Sequence, residues 1–91
     1  MSYGVVTVGT AVTLVLDGNA NRVSFLISND GSNNLYLGQD VNVTTANAGV
    51  NLTNGSSFSD ESNEAGKCWL GTVYGITNTA TTSVRYWDKN Q

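Results

Sequence analysis

The sequence predicts an all-β fold: one small β-sandwich, jelly-roll-like or barrel domain of about seven or eight short antiparallel strands. Three observations predict it. Apolar and polar residues alternate with period two, as in Val23-Ser24-Phe25-Leu26-Ile27-Ser28. Turn residues interrupt these runs at intervals of about 8–12 residues. No helical i, i+3, i+4 pattern survives more than a turn. Composition agrees, because Gly, Ser, Thr and Asn make up a little under half of the 91 residues. Those side chains favour turns and extended backbone over helix. A chain this short has room for one domain, with an adequate but thin core.

The first strand is expected over Gly4–Val8, with a break at Gly9-Thr10. Residues 1–10 read as an N-terminal segment or arm, and 11–91 as the single β domain. Ala11–Leu16 follows, with Val12, Leu14 and Leu16 alternating with Thr13 and Val15. Asp17-Gly18-Asn19 is a turn. Asn21 and Arg22 lead into a strand that sets Val23, Phe25 and Ile27 on one face. The cluster Asn29–Asn34 holds an Asp-Gly step, and Leu35-Tyr36-Leu37-Gly38 is a short strand, so 23–38 reads as a hairpin with an enlarged loop. Val50–Leu52 is the next strand, and Asn54-Gly55 is the strongest two-residue turn signal, across which Ser56–Ser59 pairs back. Asp60–Lys67 is charge-dense and reads as an exposed loop. Trp69–Ile76 and Ser83–Trp87 close the fold.

What is missing excludes several functions. There is no His, which removes the commonest general base and metal ligand. The single Cys68 permits no intrachain disulfide and no Cys-based zinc site, and reads as a small core or near-core residue. No catalytic, cofactor or metal residues are assigned, and the chain reads as non-enzymatic. The net charge is −3, and the four basic residues Arg22, Lys67, Arg85 and Lys89 are scattered, so nucleic acid is not an expected partner. No apolar run is long enough to span a membrane. Met1-Ser2-Tyr3-Gly4 has no basic region followed by an apolar stretch, which predicts no signal peptide.

Two stretches carry a resemblance. Asn21-Arg22-Val23-Ser24-Phe25-Leu26-Ile27-Ser28-Asn29 followed by Asn34-Leu35-Tyr36-Leu37-Gly38 resembles a recurrent pattern in small virion proteins of tailed bacteriophages. Trp69-Leu70-Gly71-Thr72-Val73-Tyr74-Gly75-Ile76, then Val84-Arg85-Tyr86-Trp87, is similar to the closing strands of that group. The resemblance covers about residues 5–88 and rests on strand and turn signatures, not on chemical motifs. It implies a capsid decoration (cement) protein, made in the host cytoplasm and carried on the capsid exterior as a homotrimer. The implied partners are the major capsid protein or other virion subunits. A tail, head–tail or fibre module of the same virion is the alternative within the group. A carbohydrate-binding module using exposed aromatics is the alternative outside it.

The interface candidates are Tyr3, Val5, Arg22, Trp69, Tyr86 and Trp87. Tyr3 and Val5 are apolar residues near a chain end, where a partner surface can cover them. Arg22 stands at a strand entrance, where it either contacts an acidic capsid surface or bonds loop carbonyls within the domain. Trp69, Tyr86 and Trp87 belong to the aromatic-rich last third, and aromatic residues are enriched at interface hot spots. Tyr86 and Trp87 must face opposite sides of a regular strand, which leaves one of them as an exposed anchor. Asp60, Glu61 and Glu64 lack calcium-loop spacing and read as solvated.

Overall fold

The computed structural model describes residues 2–61 and 69–90. They form eight strands: β1 (Ser2–Val8), β2 (Thr13–Leu16), β3 (Arg22–Asn29), β4 (Leu35–Gly38), β5 (Val50–Leu52), β6 (Ser57–Glu61), β7 (Val73–Thr77) and β8 (Thr82–Asn90). The strands make two four-stranded antiparallel sheets, ordered β1-β8-β3-β6 and β2-β7-β4-β5. The arrangement is sandwich-like. One core cluster draws Val8, Phe25, Ile27 and Val84 from the first sheet and Val15, Leu16, Leu35, Leu37, Leu52 and Val73 from the second. Phe25 and Phe58 meet edge to face at 5.7 Å between ring centroids. Among the described residues the two ladders stay separate and do not close into a barrel.

Both expected hairpins are instead crossings between sheets. β3 lies in one sheet and β4 in the other, and β5 and β6 are divided in the same way. For β5 and β6 the turn at Asn54-Gly55 fits the crossing. Ser56 N donates to Thr53 O at 3.0 Å, and Gly55 has φ of 81°. Asn54 has no positive φ, so this is not the double left-handed turn that matches the twist of a two-stranded hairpin. A turn with positive φ only at its third residue splays the flanking strands, and here they enter different layers.

Asn29 pins both crossings. It is fully buried. Its Nδ2 donates to Asn33 O and Leu52 O, each at 2.8 Å, and its Oδ1 accepts from Gly31 N at 3.2 Å and Thr82 Oγ1 at 2.6 Å. Its main chain adds Asn29 N to Ser56 O at 2.9 Å and Gly55 N to Asn29 O at 2.8 Å. The β3–β4 loop, the β5–β6 turn and the start of β8 are thus tied to one side chain, which satisfies the buried polar groups of irregular backbone.

Two bulges change which residues face inward. The β2–β7 register shifts between Leu14 and Leu16. Val15 and Leu16 are consequently both buried, while Leu14 is exposed, against the expected Val12-Leu14-Leu16 face. The β3–β8 register shifts between Arg22 and Ser24. Phe25, Ile27 and Asn29 then line the core side, Val23 is only half-buried, and Arg22 turns inward.

Three boundaries also differ. Ser2–Val8 pairs along its whole length with β8, and Val8 is fully buried. Asp60 and Glu61 belong to β6 and not to a loop, whereas the remainder of that acidic stretch, with Glu64, Lys67 and Cys68, lies outside the described residues. β7 starts at Val73, because the carbonyls of Trp69 and Gly71 accept from the Arg22 guanidinium instead of joining a ladder.

Candidate functional site

The outward face of the β1-β8-β3-β6 sheet carries an unusual row. Tyr3 on β1 stands opposite Trp87 on β8, and Trp87 stands opposite Leu26 on β3. Residues paired across a ladder share a face, with Cβ atoms about 4.5–5.5 Å apart. Inward alternation of Val84, Tyr86 and Asp88 leaves Arg85, Trp87 and Lys89 facing out. Tyr3 is 80% exposed, Trp87 47% and Leu26 39%. The neighbouring row adds Val5 at 55%, opposite Arg85. Four of the eight large hydrophobics that stand exposed among the described residues therefore share this one face. Ser24, Ser28, Ser57 and Ser59 continue it toward β6 as a polar margin. Arg85 Nε bonds Asp30 Oδ2 at 2.8 Å at the rim, with both side chains largely in solvent.

The structure brings three of the six sequence candidates together here: Tyr3, Val5 and Trp87. The other three lie elsewhere. Arg22 is 3% exposed and spends its guanidinium inside the fold: Nε on Asp88 Oδ2 at 3.2 Å, one terminal nitrogen on Trp69 O and Gly71 O, and the other on Asp17 O at 2.6 Å. It also sits 5.4 Å from the Phe25 ring centroid. That is the loop-carbonyl reading of Arg22, and its side chain is sealed from solvent. Tyr86 points inward, packs against the core and covers Gly4, whose Cβ position lies 2.9 Å from the Tyr86 hydroxyl. Trp69 is 37% exposed on the loop before β7, with its indole N–H donating to Thr72 O at 2.9 Å.

Leu26 was not singled out from the sequence. The available signal was its position as an apolar residue between Ser24 and Ser28, on the otherwise polar side of β3. Its meaning depends on the ladder that sets it against Trp87.

Two half-open clefts of about 480 Å³ each flank the core. One lies between the edge strands β1 and β2 and is lined by Val6, Leu14, Asp17, Asn19, Tyr86 and Asp88. Its Asp88 is held by Arg22 and by Asn19 Nδ2 at 3.3 Å. The other is apolar, with Phe25, Leu37, Val50, Phe58, Trp69 and Val73 on its walls. Among the described residues no three His, Cys, Asp or Glu side chains come close enough to hold a metal ion, and no helix is long and apolar enough to cross a membrane. No protein family matches the sequence, and neither a curated protein nor a solved structure matches the chain.

Proposed function

We propose that this chain is a non-enzymatic virion structural protein of a tailed bacteriophage, a capsid decoration protein that docks on the outside of the shell through the outward face of β1, β8 and β3. The observation that carries the docking reading is the row Tyr3-Trp87-Leu26, with Val5 beside it. Contiguous exposed apolar groups on a small domain mark interaction surfaces, and Trp and Tyr supply large rigid contacts at low entropic cost. The virion setting rests on the resemblance of the strand and turn sequences. Docked copies would bridge neighbouring capsid subunits and add buried area to contacts that internal genome pressure tends to open.

The strand order supports a finer reading of the fold as a jelly roll. β1-β8-β3-β6 facing β2-β7-β4-β5 is the order produced by two interleaved Greek keys of four strands each. That architecture serves viral capsids and lectins alike, so the fold alone does not choose between them.

A second reading is favoured by the same row. Tyr3 and Trp87, adjacent on one sheet face, can also stack on sugar rings, as in a carbohydrate-binding module. Immunogold labelling of purified virions and a glycan array separate the two. Label distributed over the head supports the decoration role, and label at the tail transfers the protein to a tail module. Absence from particles together with Trp87-dependent glycan binding overturns the virion reading.

A further inference from the structure

We infer that the free edge of β1 is a strand-addition site, and that its occupant is β1 of a second copy of this chain, paired antiparallel about a two-fold axis at Val5. Sheet edges present unpaired N–H and C=O groups and are normally blunted by short length, bulges, Pro, charge or a covering segment. The four edges of this molecule differ sharply on that test. β2 has four residues and a bulge, and β5 has three residues. β6 has five and ends in Asp60-Glu61. β1 has seven residues, Ser-Tyr-Gly-Val-Val-Thr-Val, with neither charge nor Pro, in unbroken register with β8. Among the described residues it pairs with nothing else.

Three features favour a second copy over a foreign strand. The chain carries a net charge of −3, yet two β1 strands meet without any like-charge contact. A register that uses all of Ser2–Val8 has its centre at Val5, which puts Val5 opposite Val5 of the second copy, Tyr3 opposite Thr7, and Gly4 opposite Val6. Aromatic and β-branched cross-strand pairs of this kind are favourable, and outward residues meet outward residues, so the exposed rows of the two copies join into one surface. The pairing also closes on itself. Both β1 edges are consumed, and the outer edges of the joined sheet are the two β6 strands with their acidic ends.

The test is a charge swap on the axis. Val5→Lys and Val5→Glu alter an exposed side chain, so both variants should keep the native circular dichroism spectrum. By sedimentation the native chain should run at about twice its 9.6 kDa. Each variant alone should run as a monomer, because like charges then face each other across the axis. An equimolar mixture should return to the dimer mass. A native monomer, a native trimer of the kind the sequence resemblance implies, or variants that remain dimeric would each overturn the pairing. If either variant fails to fold, amide exchange of native β1 as a function of concentration decides. Protection that rises with concentration in Ser2–Val8 supports the pairing, and protection independent of concentration refutes it.

Discussion

Arg22 Nε lies 3.2 Å from Asp88 Oδ2, and the two side chains are sealed from solvent at 0% and 6% exposure. The pair joins the start of β3 to the end of β8. Through Arg22 it also holds the carbonyls of Asp17, Trp69 and Gly71, and so the loops before β3 and β7. A buried guanidinium is tolerable only with its charge and donors matched, and here one carboxylate and three carbonyls match them.

Asp88→Ala should therefore cost about 3–5 kcal/mol, because it strands a charge that cannot be given up. That is a large share of the roughly 5–15 kcal/mol available to a small domain. Urea denaturation measures it. The double variant Arg22→Met/Asp88→Leu should be less damaged than the sum of the two single changes. It should not return to native stability, because three loop carbonyls lose their donor. Strict additivity would mean that the two side chains act independently.

At the opposite crossings, Asn29→Asp keeps the shape and removes both donors that serve Asn33 O and Leu52 O. The expected loss is about 2 kcal/mol or more, since buried unsatisfied groups cost about 1–3 kcal/mol each. Thr82→Val removes only the bond to Asn29 Oδ1 and should cost less. Equal losses in denaturation midpoint would contradict the hub role of the amide.

Gly31 has no space for a side chain. A Cβ there would press on Thr82 Oγ1 and lie 2.8 Å from the main-chain nitrogen of Ser83. Gly31→Ala should lower stability by about 1–3 kcal/mol through overpacking. Gly18→Ala, whose nearest neighbour is 3.6 Å away, should stay within about 0.5 kcal/mol. Thermal melts of the two variants make the comparison.

Trp87→Ala should leave a folded protein, since the ring is about half exposed and the loss falls below the roughly 3–5 kcal/mol of a buried Trp. On the proposed docking role, binding to the capsid surface should weaken by about 2 kcal/mol or more, with Tyr3→Ala behaving alike. Val41→Ala, more exposed than Trp87 but off this face, is the control and should bind as the native chain does. Particle occupancy on gels and near-UV circular dichroism score the two effects separately. Loss of fold with Trp87→Ala would move the residue from docking to core.

Deleting residues 2–8 should lower the melting temperature as well as the particle binding that the proposed role requires. The deletion removes the whole ladder with β8 and takes Val8 out of the core. Unchanged melting with lost binding would make β1 a dispensable arm.

The all-β class and the presence of most strands were readable along the chain, because alternation and turn chemistry are local, whereas the ends of β1, β6 and β7 were not. Leu35–Gly38 and Val50–Leu52 begin and end where the pattern does. The opposite facing of Tyr86 and Trp87 follows from the pleat alone, although which of them is exposed does not. The partition into sheets was not readable. Asn54-Gly55 looks like a hairpin turn in sequence, and only the φ values and the pull of Asn29 send β5 and β6 to different layers. The two bulges were equally hidden. A shift of one residue reverses which side chains face in, and its position depends on partner strands distant in sequence. That is why Leu14 is exposed, and why Arg22, which regular alternation groups with Ser24 and Leu26 on the outer face, lies inside against Asp88. Chain chemistry alone determined that this protein folds as short antiparallel strands with aromatic residues to spare. Tertiary register decided that Tyr3, Trp87 and Leu26, far apart in sequence, stand side by side in solvent, because cross-strand neighbours are set by long-range ladders and not by local preference.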